Sequence, residues 1–230
     1  MSDLNNNIIN TDYKNEINIK SNTNFQKILD NTINKVVSDG KVPSLLIHSC
    51  CAPCSSYTLE YLSQYFKITV LYYNPNIFPE EEYDYRISEQ KRLIEAMNFK
   101  YPVEFIATDY TPMDFHDNIK GFEKEPEGGK RCELCFGIRL EKAAKMAKEM
   151  GFDYFVTTLS ISPMKDSYLL NTIGDRLAKK YGIAYLYSDF KKRNGYKRSV
   201  ELSKEYNLYR QDYCGCIYSK IEREEKSGCK

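Results

Sequence analysis

The 230-residue chain is long enough for one large domain or two small ones. Its apolar fraction of 42% suffices for a folded core, and its net charge of +1 excludes nucleic-acid binding through global charge alone. No apolar run is long enough to span a bilayer, and the N-terminus lacks the basic start and apolar middle of a signal peptide. We therefore expect a cytoplasmic protein with no membrane partner.

Residues 1–22 are rich in Asn, Ile and Lys without patterning, which predicts a flexible N-terminal extension. Residues 23–230 are predicted to form a single α/β catalytic domain. Its first helix spans residues 25–38, where apolar residues recur at helical spacing, and Gly40 closes that helix.

Short apolar runs then alternate with helical patterns along the chain. The runs predict five strands, at residues 44–48, 68–73, 103–107, 154–158 and 184–187. The intervening patterns predict helices at residues 57–66, 80–98, 111–119, 131–150, 167–181 and 199–206. This alternation is typical of right-handed βαβ units, so we predict a three-layer α/β fold with one parallel sheet.

Three cysteines lie at the corner between the first strand and the next helix, in the segment Ser49-Cys50-Cys51-Ala52-Pro53-Cys54. In a three-layer α/β protein this corner is the carboxyl end of a strand, where ligands bind. A glycine-rich phosphate loop would be ordinary at this position. Thiols in its place indicate metal or redox chemistry.

Eight cysteines in a reducing compartment favour metal binding or catalysis over a disulfide framework. The first group and the pair Cys132 and Cys135 each lie near a predicted helix start, where thiolates are favoured. Together they suit a four-thiolate site for zinc or for an iron–sulfur cluster. Five cysteines compete for four positions, and unrelated buried thiols are the competing interpretation.

A further pair, Cys214 and Cys216, is separated by one glycine. A disulfide between them would close a very small ring, so ring strain favours an easily reduced, redox-active pair. Metal ligation is the alternative for this pair. Cys229 is expected to be a free, exposed thiol.

A basic stretch follows the fifth strand. Basic residues interleaved with tyrosines can hold phosphates and stack on bases, although a solvated loop has the same composition. The candidate RNA-binding residues are Lys191, Lys192, Arg193, Lys197, Arg198 and Arg210.

Four polar residues in or near strand-end segments are candidates for a supporting or proton-donating role in the same cleft. A packed or surface position is the default for each. They are His48, Asp84, Lys165 and Asp166. Arg86 could also face this cleft, with a surface position as its default.

The chain as a whole resembles the QueH family, the cobalamin-independent epoxyqueuosine reductases, over residues 44–219. The segments that carry the resemblance are His48-x-Cys50-Cys51-Ala52-Pro53-Cys54, Tyr73-Asn74-Pro75-Asn76-Ile77, Glu82-Tyr83-x-x-Arg86, Arg131-Cys132-x-x-Cys135, Thr158-Leu159-x-x-Ser162-Pro163-x-Lys165 and Tyr209-Arg210-Gln211-x-Tyr213-Cys214-Gly215-Cys216.

The resemblance implies the last step of queuosine biosynthesis. In that step the epoxide of epoxyqueuosine is reduced at the wobble position of tRNAs with GUN anticodons, with electrons from an unidentified donor. It also implies the Rossmann-like, HUP-type fold of the adenine nucleotide alpha-hydrolases. By resemblance, Cys50, Cys51, Cys132 and Cys135 look like ligands of a [4Fe-4S] cluster, and Cys214 and Cys216 look like the redox-active pair. Cys54 is left over as a candidate ligand of an additional iron ion or a residue facing the substrate.

Three other functions compete with this interpretation. An ATP-using tRNA-modifying enzyme of the same fold would need a glycine-rich loop after the first strand, and Ser49–Cys54 contains no glycine. A zinc-stabilised RNA-binding module would not explain Cys214 and Cys216. A disulfide oxidoreductase without metal would retain activity after metal removal.

Overall fold

A computed structural model of the protein describes residues 19–228. Its five strands are all parallel and lie in the order β3-β2-β1-β4-β5. The strands are β1 (Ser44–His48), β2 (Lys67–Tyr72), β3 (Val103–Ala107), β4 (Tyr154–Thr157) and β5 (Ala184–Tyr185). Helices cover both faces of this sheet, which confirms the predicted three-layer Rossmann-like fold.

The helices of the described residues are bounded as follows: α1 (Phe25–Ser38), α2 (Ala52–Leu62), α3 (Glu80–Ala96), α4 (Pro112–Asn118), α5 (Lys130–Glu149), α6 (Ser167–Tyr181), α7 (Gly195–Glu205) and α8 (Ile217–Gly228). A 3-10 turn, Thr158–Ile161, follows β4. Most of the predicted N-terminal extension, residues 1–18, and the cysteine at 229 lie outside the described residues. Within the described residues, no helix combines the length and apolarity that crossing a membrane requires.

The core has one apolar layer on each face of the sheet. On one face, Leu29 of α1 and Leu59 of α2 pack with Ile47 of β1. On the other face, Leu140 of α5 packs with Phe155 of β4, together with residues of α6. The central strand β1 is buried from Leu45 to His48 and has a helical layer on each side, as expected for a central parallel strand.

The boundary between β1 and β4 is the switch point of the sheet. The helix after β1, α2, packs on one face, whereas the helix after β4, α6, packs on the other. The two connections therefore diverge at the carboxyl ends of these strands and leave a crevice between them, which is where ligands bind in such sheets.

Several elements differ from their predicted extent, α2 and α7 by the most. α2 begins at Ala52 instead of residue 57, because Pro53 fits the first helical turn, where its missing N–H is not needed. α7 begins at Gly195 instead of residue 199, and β5 ends at Tyr185 instead of residue 187. The last helix, α8, was not predicted.

Candidate active site

The first cysteine group lies in the crevice at the carboxyl end of β1. Cys50 and Cys51 follow the strand, and Cys54 lies in the first turn of α2. The three sulfur atoms all lie within 4.8 Å of one another, and the Sγ atoms of Cys50 and Cys51 are 3.8 Å apart. Three converging thiols at this distance form a group that can hold a metal.

The thiols of this group form hydrogen bonds with one another, and these bonds shift their pKa values in opposite directions. Hydrogen bonds from Cys50 and Cys54 hold the pKa of Cys51 well below its usual range, and nearby Arg86 lowers it further. The same contacts raise the pKa of Cys54 well above its usual range. One thiolate is therefore already favoured, and a bound metal would displace the remaining protons.

The second cysteine group comes from two distant segments. Cys132 and Cys135 lie in the first turns of α5, and Cys214 and Cys216 lie in the loop before α8. All four line one cavity. Cys132 also packs against the large apolar cluster to which Cys50 and Cys51 belong, and cysteines of both groups act electrostatically on Arg139. Burial raises the pKa of Cys135 to about 12, and none of the described cysteines forms a disulfide.

Arg86 connects the two groups from α3. Its side chain is 1% exposed and pairs through Nε with Glu82 Oε1 at 2.7 Å. Its Nη1 donates to the Cys214 carbonyl oxygen at 3.3 Å. On the same loop, the Gly215 carbonyl accepts from the N–H of Phe78 at 2.9 Å. The loop that carries the second pair is therefore fastened to the segment after β2.

Arg131, immediately before Cys132, fastens the C-terminal helix. It is 2% exposed, and its Nη2 pairs with Glu222 Oε1 of α8 at 2.7 Å. Its Nη1 donates to the carbonyl oxygens of Glu123 and Glu125, and its guanidinium lies 4.8 Å from the centre of the Tyr218 ring. α8 thereby closes the side of the cavity that holds Cys216.

Arg139, one turn after Cys135, is a third buried arginine. Its Nε donates to the Cys135 carbonyl at 3.2 Å, and its Nη1 approaches Asn74 Oδ1 at 3.4 Å. The Nη2 atoms of Arg139 and Arg86 are buried without an acceptor among the described residues. Unsatisfied buried donors beside a set of thiols fit an anionic, sulfur-rich group such as an iron–sulfur cluster.

Among the four polar candidates, Lys165 faces the cysteines. Burial lowers its pKa, but the electrostatic interaction with the sulfur atoms of Cys214, Cys50 and Cys54 outweighs this and raises it, so the amine stays charged. Its side chain lies beside both cysteine groups.

The other three candidates have different surroundings. His48 Nδ1 lies 2.9 Å from Thr157 Oγ1 and Nε2 lies 3.1 Å from the Tyr73 carbonyl oxygen. Burial, then the charge of Arg139, lowers the His48 pKa to about 4, so the ring is neutral and supports the strand end. Asp166 caps α6 by accepting from Tyr168 N at 2.8 Å. Asp84 lies exposed on α3.

The basic candidates divide into paired and unpaired side chains. Lys191 pairs with Asp189, Arg193 with Asp30 and Arg198 with Glu60. Lys192 and Lys197 are exposed and form no ion pair with a described carboxylate, and Arg210 is exposed and donates to Ser203 Oγ at 3.0 Å. Only the last three are free to meet a phosphate without breaking an ion pair.

Sequence reasoning missed Arg139 and the two carboxylates that pair with arginines, Glu82 and Glu222. One signal was available for Arg139. Cys135 and Arg139 are four residues apart, so they share one face of α5, and that face also carries Leu140 and Ala143 towards the core. An arginine on an apolar face beside a cysteine indicates a buried charge with a partner.

The fold and the site together define a Rossmann-like protein whose strand-end crevice carries cysteines where a nucleotide-binding protein carries a glycine-rich loop. Residues 45–222 match the family model described as epoxyqueuosine reductase QueH. The chain belongs to this family.

Curated relatives that are described as epoxyqueuosine reductase QueH align with most of the chain. The epoxyqueuosine reductase QueH of Streptococcus pyogenes serotype M1 is 46% identical over 198 residues, which is 85% of this chain and 78% of the relative. That of Staphylococcus epidermidis is 44% identical over 204 residues, 87% of this chain and 86% of the relative. That of Thermotoga maritima is 36% identical over 190 residues, 80% of this chain and 93% of the relative.

Proposed function

We propose that the chain is an epoxyqueuosine reductase that acts on tRNA and completes queuosine biosynthesis. The observation that carries this proposal is a close group of three thiols, Cys50, Cys51 and Cys54, at the carboxyl end of β1, together with four further cysteines that line one cavity. Membership of the family indicates the substrate, and the thiols can provide the electrons for its reduction.

For the cofactor, we propose that Cys50, Cys51, Cys132 and Cys135 hold a [4Fe-4S] cluster and that Cys54 binds an additional iron ion. These thiols and the unsatisfied donors of Arg86 and Arg139 support this assignment. A bound cluster would supply single electrons, and an additional iron ion would act as a Lewis acid towards the epoxide oxygen.

The protein's own reductant is the pair Cys214 and Cys216. Removing the epoxide oxygen breaks two C–O bonds, forms one C=C bond and releases water, which consumes two electrons and two protons. Closing one S–S bond between the two thiols releases two electrons and two protons, so the reaction balances. An electron donor, as yet unidentified, then returns the disulfide to two thiols.

Lys165 is the residue that we propose to face the substrate oxygen. Its charged amine lies beside both cysteine groups, where it favours the negative charge that develops on that oxygen when a C–O bond breaks. His48 is neutral and hydrogen-bonded on both nitrogens, and Asp166 is engaged as a helix cap, so neither supports a proton-donating role.

We propose that the anticodon arm of a tRNA with a GUN anticodon binds on the β5 side of the crevice. Lys192, Lys197 and Arg210 offer unpaired positive charge, whereas α3, after β2, begins with the carboxylates of Glu80–Glu82. Phosphates favour the basic side. A tRNA substrate is also consistent with the expected cytoplasmic location, which stays a prediction.

The decisive test combines metal analysis with product analysis. Anaerobically purified protein should contain about four irons and four sulfides, or five irons if Cys54 also binds metal. It should convert epoxyqueuosine in tRNA to queuosine, measured by mass spectrometry of the digested nucleosides. A Cys216→Ser variant should keep its iron and lose turnover, whereas Cys50→Ser should lose both. Zinc without sulfide would refute the mechanism and favour the RNA-binding module.

A further inference from the structure

Three arginines are buried beside the cysteines, but only two have a carboxylate partner. Arg86 pairs with Glu82 and Arg131 with Glu222, each at 2.7 Å. Arg139 is 1% exposed, and no carboxylate in the described part of the chain forms an ion pair with it. Its two hydrogen-bond acceptors, a backbone carbonyl and the amide of Asn74, are both uncharged.

An unpaired buried cation is strongly destabilising, so Arg139 requires a counter-charge. Four cysteines lie close enough to stabilise the guanidinium when they are ionised, as metal-bound cysteines are, namely Cys135, Cys214, Cys50 and Cys132. Three of these four are proposed cluster ligands. The guanidinium also lines the cavity of the second cysteine group, and its buried Nη2 has no acceptor there.

We propose that Arg139 is a positioning residue of the metal centre, whose fixed charge balances the thiolate-bound cluster and raises its reduction potential. This inference rests on the proposed function, because it requires that the cluster is present. Adding an electron to the cluster adds a negative charge, and a buried cation nearby stabilises the reduced form. A guanidinium does not lose its proton, so this effect persists over the whole working pH range.

The test compares reduction potentials of anaerobically purified wild type, Arg139→Gln, Arg139→Lys and Lys145→Gln, after iron and sulfide are measured in each. Arg139→Gln should lower the ratio of reduced to oxidised cluster at least tenfold at a fixed applied potential, a shift of about 59 mV for one electron. Arg139→Lys keeps the charge and should remain within a few-fold of wild type. Lys145→Gln removes a charge from the same helix, but this lysine is 59% exposed, so the ratio should not change.

Two results would overturn the inference while leaving the proposed function intact. One is a fully loaded Arg139→Gln variant whose ratio matches wild type. The other is an Arg139→Lys variant that shifts as far as glutamine, which would assign the effect to guanidinium geometry instead of charge. If Arg139→Gln does not fold, Arg139→Met, which also removes the charge, takes its place: a tenfold lower ratio supports the inference and a ratio equal to wild type refutes it. Wild-type protein without iron would refute the proposed function and this inference together.

Discussion

Replacing Arg131 by methionine should detach the C-terminal helix from the site. The guanidinium holds Glu222 and two backbone carbonyl oxygens, and it stacks on Tyr218. Methionine fills similar space but offers no donor. All of these contacts are lost at once, and Glu222 keeps its charge next to an apolar side chain.

The magnitude follows from burial. Breaking a buried ion pair by removing one partner costs about 3–5 kcal/mol. Arg131 is 2% exposed but Glu222 is 25% exposed, so water can partly solvate the remaining carboxylate. We therefore expect the lower end, about 3 kcal/mol. The neighbouring pair Lys130 and Glu133, 3.0 Å apart, is 45% and 40% exposed, and Lys130→Met should cost about 0–1 kcal/mol.

The measurement is urea unfolding of both variants at matched iron content under anaerobic conditions. The chain has no Trp, so helix content is followed by circular dichroism. Trypsin cleavage after Lys220 or Arg223 reports separately on α8 and should be faster only in Arg131→Met. Unfolding free energies of the two variants that agree within about 1 kcal/mol would refute the reasoning, since that is the ceiling for a surface pair.

Three other outcomes are expected. Gly174→Ala should destabilise the protein by about 1–3 kcal/mol, because its Cβ would lie 2.4 Å from the Tyr185 ring. Gly137→Ala lies in another helix interior, has open space around its Cβ and should stabilise the protein by about 0.5–1 kcal/mol. If both variants shift the unfolding midpoint in the same direction, this reasoning is wrong. Replacing both Lys192 and Lys197 by Gln should reduce the salt slope of tRNA binding by about 2, and an unchanged slope would exclude these residues as phosphate contacts. Removing iron with a chelator should lower the unfolding temperature, because a metal that binds only the folded state stabilises it, and unchanged melting would show that the metal is peripheral.

The sequence was most informative where hydrophobic patterning is strong. β1 and β3 have the predicted bounds, because short apolar runs between polar turns admit few alternatives. α8 was missed because its sequence, Ile217–Gly228, is highly charged and its docking relies on distant partners, namely the ion pair of Glu222 with Arg131 and the packing of Tyr218 on Phe115. Such a long-range ion pair leaves no periodic signal in either segment.

The candidate site, too, could be predicted only in part from the sequence. Cysteine is rare and its spacing is informative, so the three local sets of cysteines, at 50–54, 132–135 and 214–216, could be found from the chain alone. The sequence did not indicate that the last two sets line one cavity. Arginine is usually exposed, so nothing in a single sequence indicates that Arg86 and Arg131 are buried, and only its place on the apolar face of α5 indicates this for Arg139. Their burial depends on how α3 and α5 pack around the crevice.

The strand order has a consequence for how the protein folds. β1 pairs with β2, which follows it closely, but also with β4, and the paired residues His48 and Thr157 are 109 positions apart. Closing so long a loop is entropically costly, so we expect β1, β2 and β3 to associate first and β4 and β5 to dock later. The crevice between β1 and β4 would then be among the last regions to assemble. Pulse-labelled hydrogen exchange should protect the amides of Thr69 and Val70 before those of Phe155 and Val156, and the reverse order would contradict this folding sequence.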